Sequence, residues 1–115
     1  MHPNVSKGNR IHAEHFDAIR EAVDGGGLNG WKAAFVNRRI PGAGHKRPDW
    51  VLYNEQEKRA VVVDITSKYA PRHYQKGIEY VEALRHIWTD PAWEIQYVED
   101  YYQDLDDTSR SRLAH

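Results

Sequence analysis

The sequence predicts a small mixed α/β domain, and two observations carry this prediction. The β-branched run from Val61 to Ile65 is typical of a buried central strand. A helical pattern over 72–88 separates this run from an alternating segment at 94–98, and a strand–helix–strand unit indicates a right-handed parallel crossover. With the segments that precede them, we expect a small mixed β-sheet flanked by helices in α-β-β-β-α-β order.

The first half of the chain supplies one helix and three strands. The first helix is expected over 11–23, and the glycines at 25–27 end it because glycine readily adopts the left-handed conformation. Strands are expected at 31–36, 49–53 and 59–66, with a charged turn between the last two. The apolar positions of the first helix recur at helical spacing: Ile11, Ala18, Ile19, Ala22 and Val23.

The second helix is amphipathic, and Asp90-Pro91 follows it as a breaker. The stripe that this second helix is predicted to bury comprises Tyr74, Ile78, Val81, Leu84 and Trp88, with Ile87 beside it.

One domain is expected over 1–115, with a flexible N-terminus at 1–10, a core at 11–98 and an acidic, polar C-terminal segment at 99–115.

Composition restricts the classes of function. With 115 residues, 29% of them charged and 40% hydrophobic, the chain suits a single globular domain. It has no cysteine, which excludes disulfides and thiolate zinc sites. No apolar run approaches the roughly 18 residues that a membrane-spanning helix needs, so no membrane segment is predicted.

The net charge is only −1, but basic residues cluster around two aspartates. Such a basic rim suits a phosphate-backbone ligand, although a solvated surface is the ordinary alternative. The cluster before Asp49 comprises Arg38, Arg39, His45, Lys46 and Arg47, and the cluster after Asp64 comprises Lys68, Arg72, His73 and Lys76.

Asp49 and Asp64 open one predicted strand and end the next, so pairing of these strands would bring both carboxylates together. On the second strand, Asp64, Thr66 and Lys68 share the face of Val62. A charge after three valines is costly to bury, so Asp64 must lie at an exposed strand end or be paired with a cation. Paired carboxylates suit Mg²⁺ or Mn²⁺, which would activate a water for phosphodiester hydrolysis.

Pro48-Asp49, Asp64 and the order of elements resemble the PD-(D/E)xK nuclease superfamily, with its restriction-endonuclease-like core. The resemblance covers residues 11–98 and implies metal ligation by Asp49, Asp64 and the backbone carbonyl of Ile65. A helix glutamate often completes such sites. Glu14 is the first candidate for it, and Glu21 is the second.

The third motif of the superfamily departs from its pattern here. Thr66 stands where the family places a catalytic lysine. Lys68 lies on the same strand face and is the first candidate for that role, and Lys76 on the following helix is the second. The predicted contacts to nucleic acid are Lys46, Arg47, Thr66, Arg72, His73 and Lys76, with DNA as the expected substrate and tRNA or another RNA as the alternative.

The segment from Asp64 to Tyr69, followed by a His-x-x-Lys helix, also resembles the C-terminal nuclease domains of bacterial polymorphic and contact-dependent toxins. This resemblance implies delivery into a target cell, action in its cytoplasm and an immunity protein as partner.

Three other classes compete with a nuclease: a histidine zinc enzyme, a serine hydrolase and a protein-binding module. His12 and His15 lie three apart on the first helix, but no His-Glu-x-x-His pattern supports a zinc site, and no Gly-x-Ser-x-Gly elbow supports a serine hydrolase. The stronger alternative is an inactive nuclease-like module that binds a protein partner through its aromatic residues, of which Trp88 and Trp93 are expected to be half-buried core.

Overall fold

The computed structural model describes residues 3–66 and 71–101, with side chains described for 10–66 and 73–100. Its α-β-β-β-α-β order confirms the predicted fold class. The elements are α1 (Pro3–Asp24), β1 (Lys32–Val36), β2 (Trp50–Asn54), β3 (Arg59–Thr66), α2 (Pro71–Leu84) and β4 (Glu94–Tyr101). No helix in these described ranges is long and apolar enough to cross a membrane.

The four strands form one sheet in the order β1-β2-β3-β4. β1 pairs antiparallel with β2, and β2 pairs antiparallel with β3. β4 pairs parallel with β3, from Arg59 opposite Glu94 to Thr66 opposite Tyr101, which confirms the predicted parallel pairing of the two strands that α2 connects. β3 is therefore the inner strand that carries both kinds of pairing.

The two helices cover opposite faces of this sheet. Val61, Val63 and Ile65 pack with Ile19 of α1, whereas Val62 packs with Tyr80 of α2. Successive side chains of a strand point to opposite faces, so the run of branched residues in β3 serves two cores at once. This arrangement also assigns Asp64 to the α2 face, as the alternation along β3 predicted.

α1 begins at Pro3, earlier than the predicted start at Ile11. Proline suits the first turn of a helix because its φ is already helical and its missing N–H has no partner there. The prediction that the glycines at 25–27 end this helix is confirmed, since α1 ends at Asp24. The Gly25 N–H donates to the Glu21 carbonyl at 2.8 Å, and Gly26 adopts a φ of +80°.

α2 differs from its prediction in both its end and its buried face. It ends at Leu84 rather than Trp88, and Tyr74 is 69% exposed. The buried side includes Gly77 and Tyr80 together with the predicted Leu84. The helix approaches β4 closely at Gly77, where an added Cβ would lie 2.5 Å from Cδ2 of Tyr97. The predicted stripe was thus right for Leu84, Val81 and Trp88 but wrong for Tyr74 and Ile87, and it omitted position 77 because a glycine carries no hydrophobic signal.

Trp88 and Trp93 are half-buried against the α2-side core, as predicted, with ring centroids 5.1 Å apart. β4 continues to Tyr101, past the predicted strand end at Val98, so Glu99 and Asp100 belong to the sheet. The remainder of the predicted C-terminal segment, 102–115, lies outside the described residues.

We predict that Gly77→Ala destabilises the fold by about 1–3 kcal/mol, because the new methyl group would overpack the Tyr97 ring. Helix propensity alone predicts the opposite sign, a gain of about 1 kcal/mol. Urea unfolding measures the change. Gln75→Ala, at an exposed position of the same helix, is the matched control and should change stability little. A more stable Gly77→Ala variant would contradict the close approach of α2 and β4.

Candidate active site

Asp49 and Asp64 meet where β2 begins and β3 approaches its end. Trp50 pairs with Val63, and one step beyond this pair the Asp49 N–H donates to Oδ1 of Asp64 at 3.1 Å. In return, the Ile65 N–H donates to Oδ2 of Asp49 at 2.7 Å. The antiparallel register therefore brings the two aspartates together, as their positions in the sequence predicted.

Asp64 is buried and paired with a cation. Its side chain is 9% exposed, and Nζ of Lys76 lies 3.0 Å from its Oδ2. The hydroxyl of Tyr97 donates to the same oxygen at 2.9 Å. The sequence left two possibilities for Asp64: an exposed strand end or pairing with a cation. The structure shows the second, and the cation is the ammonium of Lys76 on α2.

Asp49 is held by α1 as well as by β3. Nε2 of His12 lies 3.1 Å from Oδ1 of Asp49. Burial raises the pKa of the Asp49 carboxyl, and the charge of Asp64 adds to this rise; the Ile65 N–H and His12 act in the opposite direction. The two aspartates thus form one electrostatically coupled pair.

Two tyrosines line the α2 side of this pair. Burial raises the pKa of the Tyr97 hydroxyl far above its ordinary range, and the nearby charge of Asp64 raises it further. Burial and the two aspartate charges likewise raise the pKa of Tyr80. Both phenols therefore stay protonated at every physiological pH, and Tyr97 serves Asp64 as a fixed hydrogen-bond donor.

A basic pocket of about 330 Å³ lies beside the aspartates. Lys46 and Arg47 come from the loop before β2, whereas His73, Lys76 and Tyr80 come from one face of α2. Four of these five side chains were predicted to bind nucleic acid or phosphate. The structure therefore brings the predicted basic residues together next to the carboxylate pair.

The end of β4 adds acidic groups that the sequence interpretation assigned to a polar C-terminal segment. Glu99 lies opposite Asp64, and Asp100 lies opposite Ile65. Oε1 of Glu99 is 3.4 Å from Nδ1 of His73 on the α2 face, and Oδ2 of Asp100 is 2.6 Å from Nδ1 of His15 on the α1 face. The signal was present in the sequence, because a parallel crossover brings residues after Val98 to the same sheet end as Asp64.

The other residues predicted for the site do not contact the Asp49–Asp64 pair among the described contacts, or lie outside the described residues. Glu14 and Glu21 are exposed on α1, and it is His12 that contacts Asp49. A ligand role for Glu14 finds no support among the described contacts. Thr66 is half-buried and pairs with Tyr101. Lys68 lies outside the described residues, as does the side chain of Arg72.

The carboxylate pair fits a divalent cation as a two-ligand site. Both oxygens of Asp49 and Oδ1 of Asp64 each make one hydrogen bond and keep a second lone pair, whereas Oδ2 of Asp64 is engaged by both Tyr97 and Lys76. Hard oxygen ligands of this kind suit Mg²⁺ or Mn²⁺. No group of three or more His, Asp or Glu side chains in the described part of the chain is arranged to hold a metal ion. Mg²⁺ commonly keeps several waters, so two carboxylates are compatible with its binding.

We predict that Asp49→Asn raises the melting temperature of the metal-free protein at neutral pH. Because the folded-state pKa of Asp49 is raised, the folded state binds its proton more tightly than the unfolded chain does. That contribution to stability is present at low pH and is lost as the pH rises through the folded-state pKa. The asparagine variant avoids this loss, so its advantage should shrink as the pH falls toward the acidic range.

Thermal unfolding across this pH range, with EDTA present, measures the difference between the variant and the wild type. Asp24→Asn, at an exposed position at the end of α1, is the control. A melting temperature of Asp49→Asn that lies below the wild-type value at neutral pH would show that the hydrogen bonds of this carboxylate outweigh its burial.

Comparison of the chain with protein-family models, with curated proteins and with solved structures finds no match to any of them. The candidate site is therefore assigned from its own geometry: a coupled, buried carboxylate pair, a lysine in contact with it, and a basic pocket alongside.

Proposed function

We propose that this protein is a metal-dependent nuclease that hydrolyses phosphodiester bonds at the Asp49–Asp64 pair. The observation that carries the proposal is the placement of two coupled carboxylates against a pocket lined by Lys46, Arg47 and Lys76. Carboxylates suit a divalent cation, and cationic side chains suit the phosphate that the cation would share. This combination within one site suits metal-assisted phosphodiester hydrolysis.

Asp49 and Asp64 would hold Mg²⁺ or Mn²⁺, with the Ile65 carbonyl as the further ligand that the superfamily resemblance implies. A bound divalent ion supplies a water of lowered pKa and polarises the phosphate. Lys76 would offset charge that develops on the phosphate, because its ammonium lies beside Asp64 and lines the basic pocket. The Tyr97 hydroxyl donates a hydrogen bond to Oδ2 of Asp64 and so helps to position this carboxylate.

DNA is the proposed substrate, with tRNA or another RNA as the alternative, because the pocket offers contacts to phosphate that both polymers share. Action as a delivered toxin domain and inhibition by an immunity protein stay predictions of the resemblance alone.

We predict that Asp64→Asn abolishes cleavage of plasmid DNA, or of total tRNA, in the presence of Mg²⁺ or Mn²⁺. The substitution keeps the size of the side chain but removes one of the two charges of the pair. EDTA should abolish wild-type cleavage in the same assay. Asp24→Asn is the matched control because it removes an equal charge far from the site. Asp24 lies about 18 Å along α1 from His12, the residue of this helix that contacts Asp49. Full activity of Asp64→Asn would refute the site.

We predict that Lys76→Met lowers the cleavage rate by about 10²–10³-fold, the usual effect of removing one preorganised electrostatic contact. It should also destabilise the protein, because Asp64 would remain buried without its cation. Lys68→Met is the informative comparison, since Lys68 was the first candidate for the catalytic lysine. A larger loss in Lys68→Met than in Lys76→Met would assign the role to Lys68 instead.

A second candidate is an inactive nuclease-like module that binds a partner protein. It is favoured by the engagement of Oδ2 of Asp64 by both Lys76 and Tyr97, which leaves a hydrogen-bonded network that is complete without a metal. The same assays separate the two functions. No cleavage of either substrate by the folded wild type, with either metal, would favour the binding module.

A further inference from the structure

Glu99 is a buried carboxylate that the proposed reaction does not use. Its side chain is 9% exposed, and its Oε2 has no hydrogen-bond partner among the described residues. Leaving a charged oxygen buried and unsatisfied is expensive, so such a group needs a nearby positive charge. The basic side chain paired with it is His73, whose Nδ1 lies 3.4 Å from Oε1 and is itself buried without a hydrogen-bond partner in the described part of the chain.

His73 both pairs with Glu99 and lines the basic pocket. Its side chain is 13% exposed, and it lines the basic pocket together with Lys46, Arg47 and Lys76. The two ring nitrogens of histidine lie on opposite sides of the imidazole. Because Nδ1 faces Glu99, Nε2 is the nitrogen available to a molecule in the pocket. An imidazolium donates from both nitrogens and can therefore satisfy a carboxylate and a second anion together.

The register of the sheet brings this pair next to the proposed active site. Glu99 lies opposite Asp64 on neighbouring parallel strands, about 4.8 Å apart. Both side chains lie on the α2 face, and three residues along α2 from His73, Lys76 contacts Asp64. The two acid–base pairs thus stand side by side, and their basic members share one pocket wall.

We propose that Glu99 is a positioning residue that holds His73 as an anion-binding donor, so that Nε2 of His73 contacts a phosphate group seated in the basic pocket. This proposal rests on the proposed function for its biological ligand, a phosphodiester of nucleic acid. The pocket itself should take any small phosphate, including inorganic phosphate, without a metal ion.

The test is titration of the metal-free protein with inorganic phosphate, followed by NMR of the histidine ring signals at a pH of about 6.5, near the ordinary pKa of histidine. The ring signals of His73 should shift with phosphate in the wild type. Glu99→Gln should weaken phosphate binding by about five- to tenfold, close to the effect of losing one charge-assisted hydrogen bond. His73→Ala should weaken it by a similar factor.

The double variant should bind no more weakly than His73→Ala alone, because Glu99 acts through His73. Asp100→Asn is the matched control. It removes the next carboxylate of β4, which is paired with His15 on the opposite face of the sheet, and it should leave phosphate affinity unchanged.

Absence of a phosphate-dependent shift at His73 in the wild type would overturn the proposal, and so would wild-type affinity in Glu99→Gln. An equal loss in Asp100→Asn would also overturn it, by showing that any buried carboxylate of β4 has the same effect. These measurements involve neither a metal nor nucleic acid, so their failure is distinct from a failure to cleave DNA or RNA.

Discussion

Burial of Asp64 is the constraint on which the rest of the site depends. A carboxylate that follows three buried valines on an inner strand has lost most of its water, and the protein must replace that solvation. Three elements contribute: the start of β2 through the Asp49 N–H, β4 through the hydroxyl of Tyr97, and α2 through the ammonium of Lys76. The position of α2 over the sheet is therefore tied to one charge.

This constraint explains why the helix and β4 approach so closely. Lys76 must reach Asp64 while the Tyr97 ring stands between the helix and the sheet, and only a residue without a side chain fits at position 77. Glycine at this position costs helix propensity, roughly 1 kcal/mol relative to alanine, and tight packing with the ion pair offsets that cost. Tyr80, one turn further along, completes the contact between α2 and the sheet.

The fold could be predicted from the sequence because its strongest signals are local. The valines of β3, the helical spacing in α1 and α2 and the glycine stop after Asp24 each depend on neighbouring residues alone. The pairing of Asp49 with Asp64 also followed, since a short hairpin leaves little choice of register. The contacts of His12 with Asp49 and of His73 with Glu99 did not follow, because they depend on the rotation of each helix about its axis.

The rotation of a helix about its axis depends on where a small residue lets it approach the sheet closely, as Gly77 does for α2 and β4. Hydrophobic periodicity does not predict such positions. The same reasoning accounts for Tyr74, which looked apolar enough for the core but lies on the outer side of a helix turned toward Gly77. The prediction that Glu14 belongs to the site finds no support, for a related reason. On α1, the face toward the sheet carries His12, His15 and Ile19, and position 14 lies off that face.

The division of charge between the sheet and α2 has a consequence for local opening. The strands carry the acids, Asp64 and Glu99, and α2 carries their basic partners, Lys76 and His73. Lifting α2 from the sheet would break both acid–base pairs together with the apolar contacts, so partial detachment loses all of these interactions at once. Amides of α2 and of the ends of β3 and β4 should therefore exchange with solvent in one cooperative unit, and the site exists only while that unit is closed.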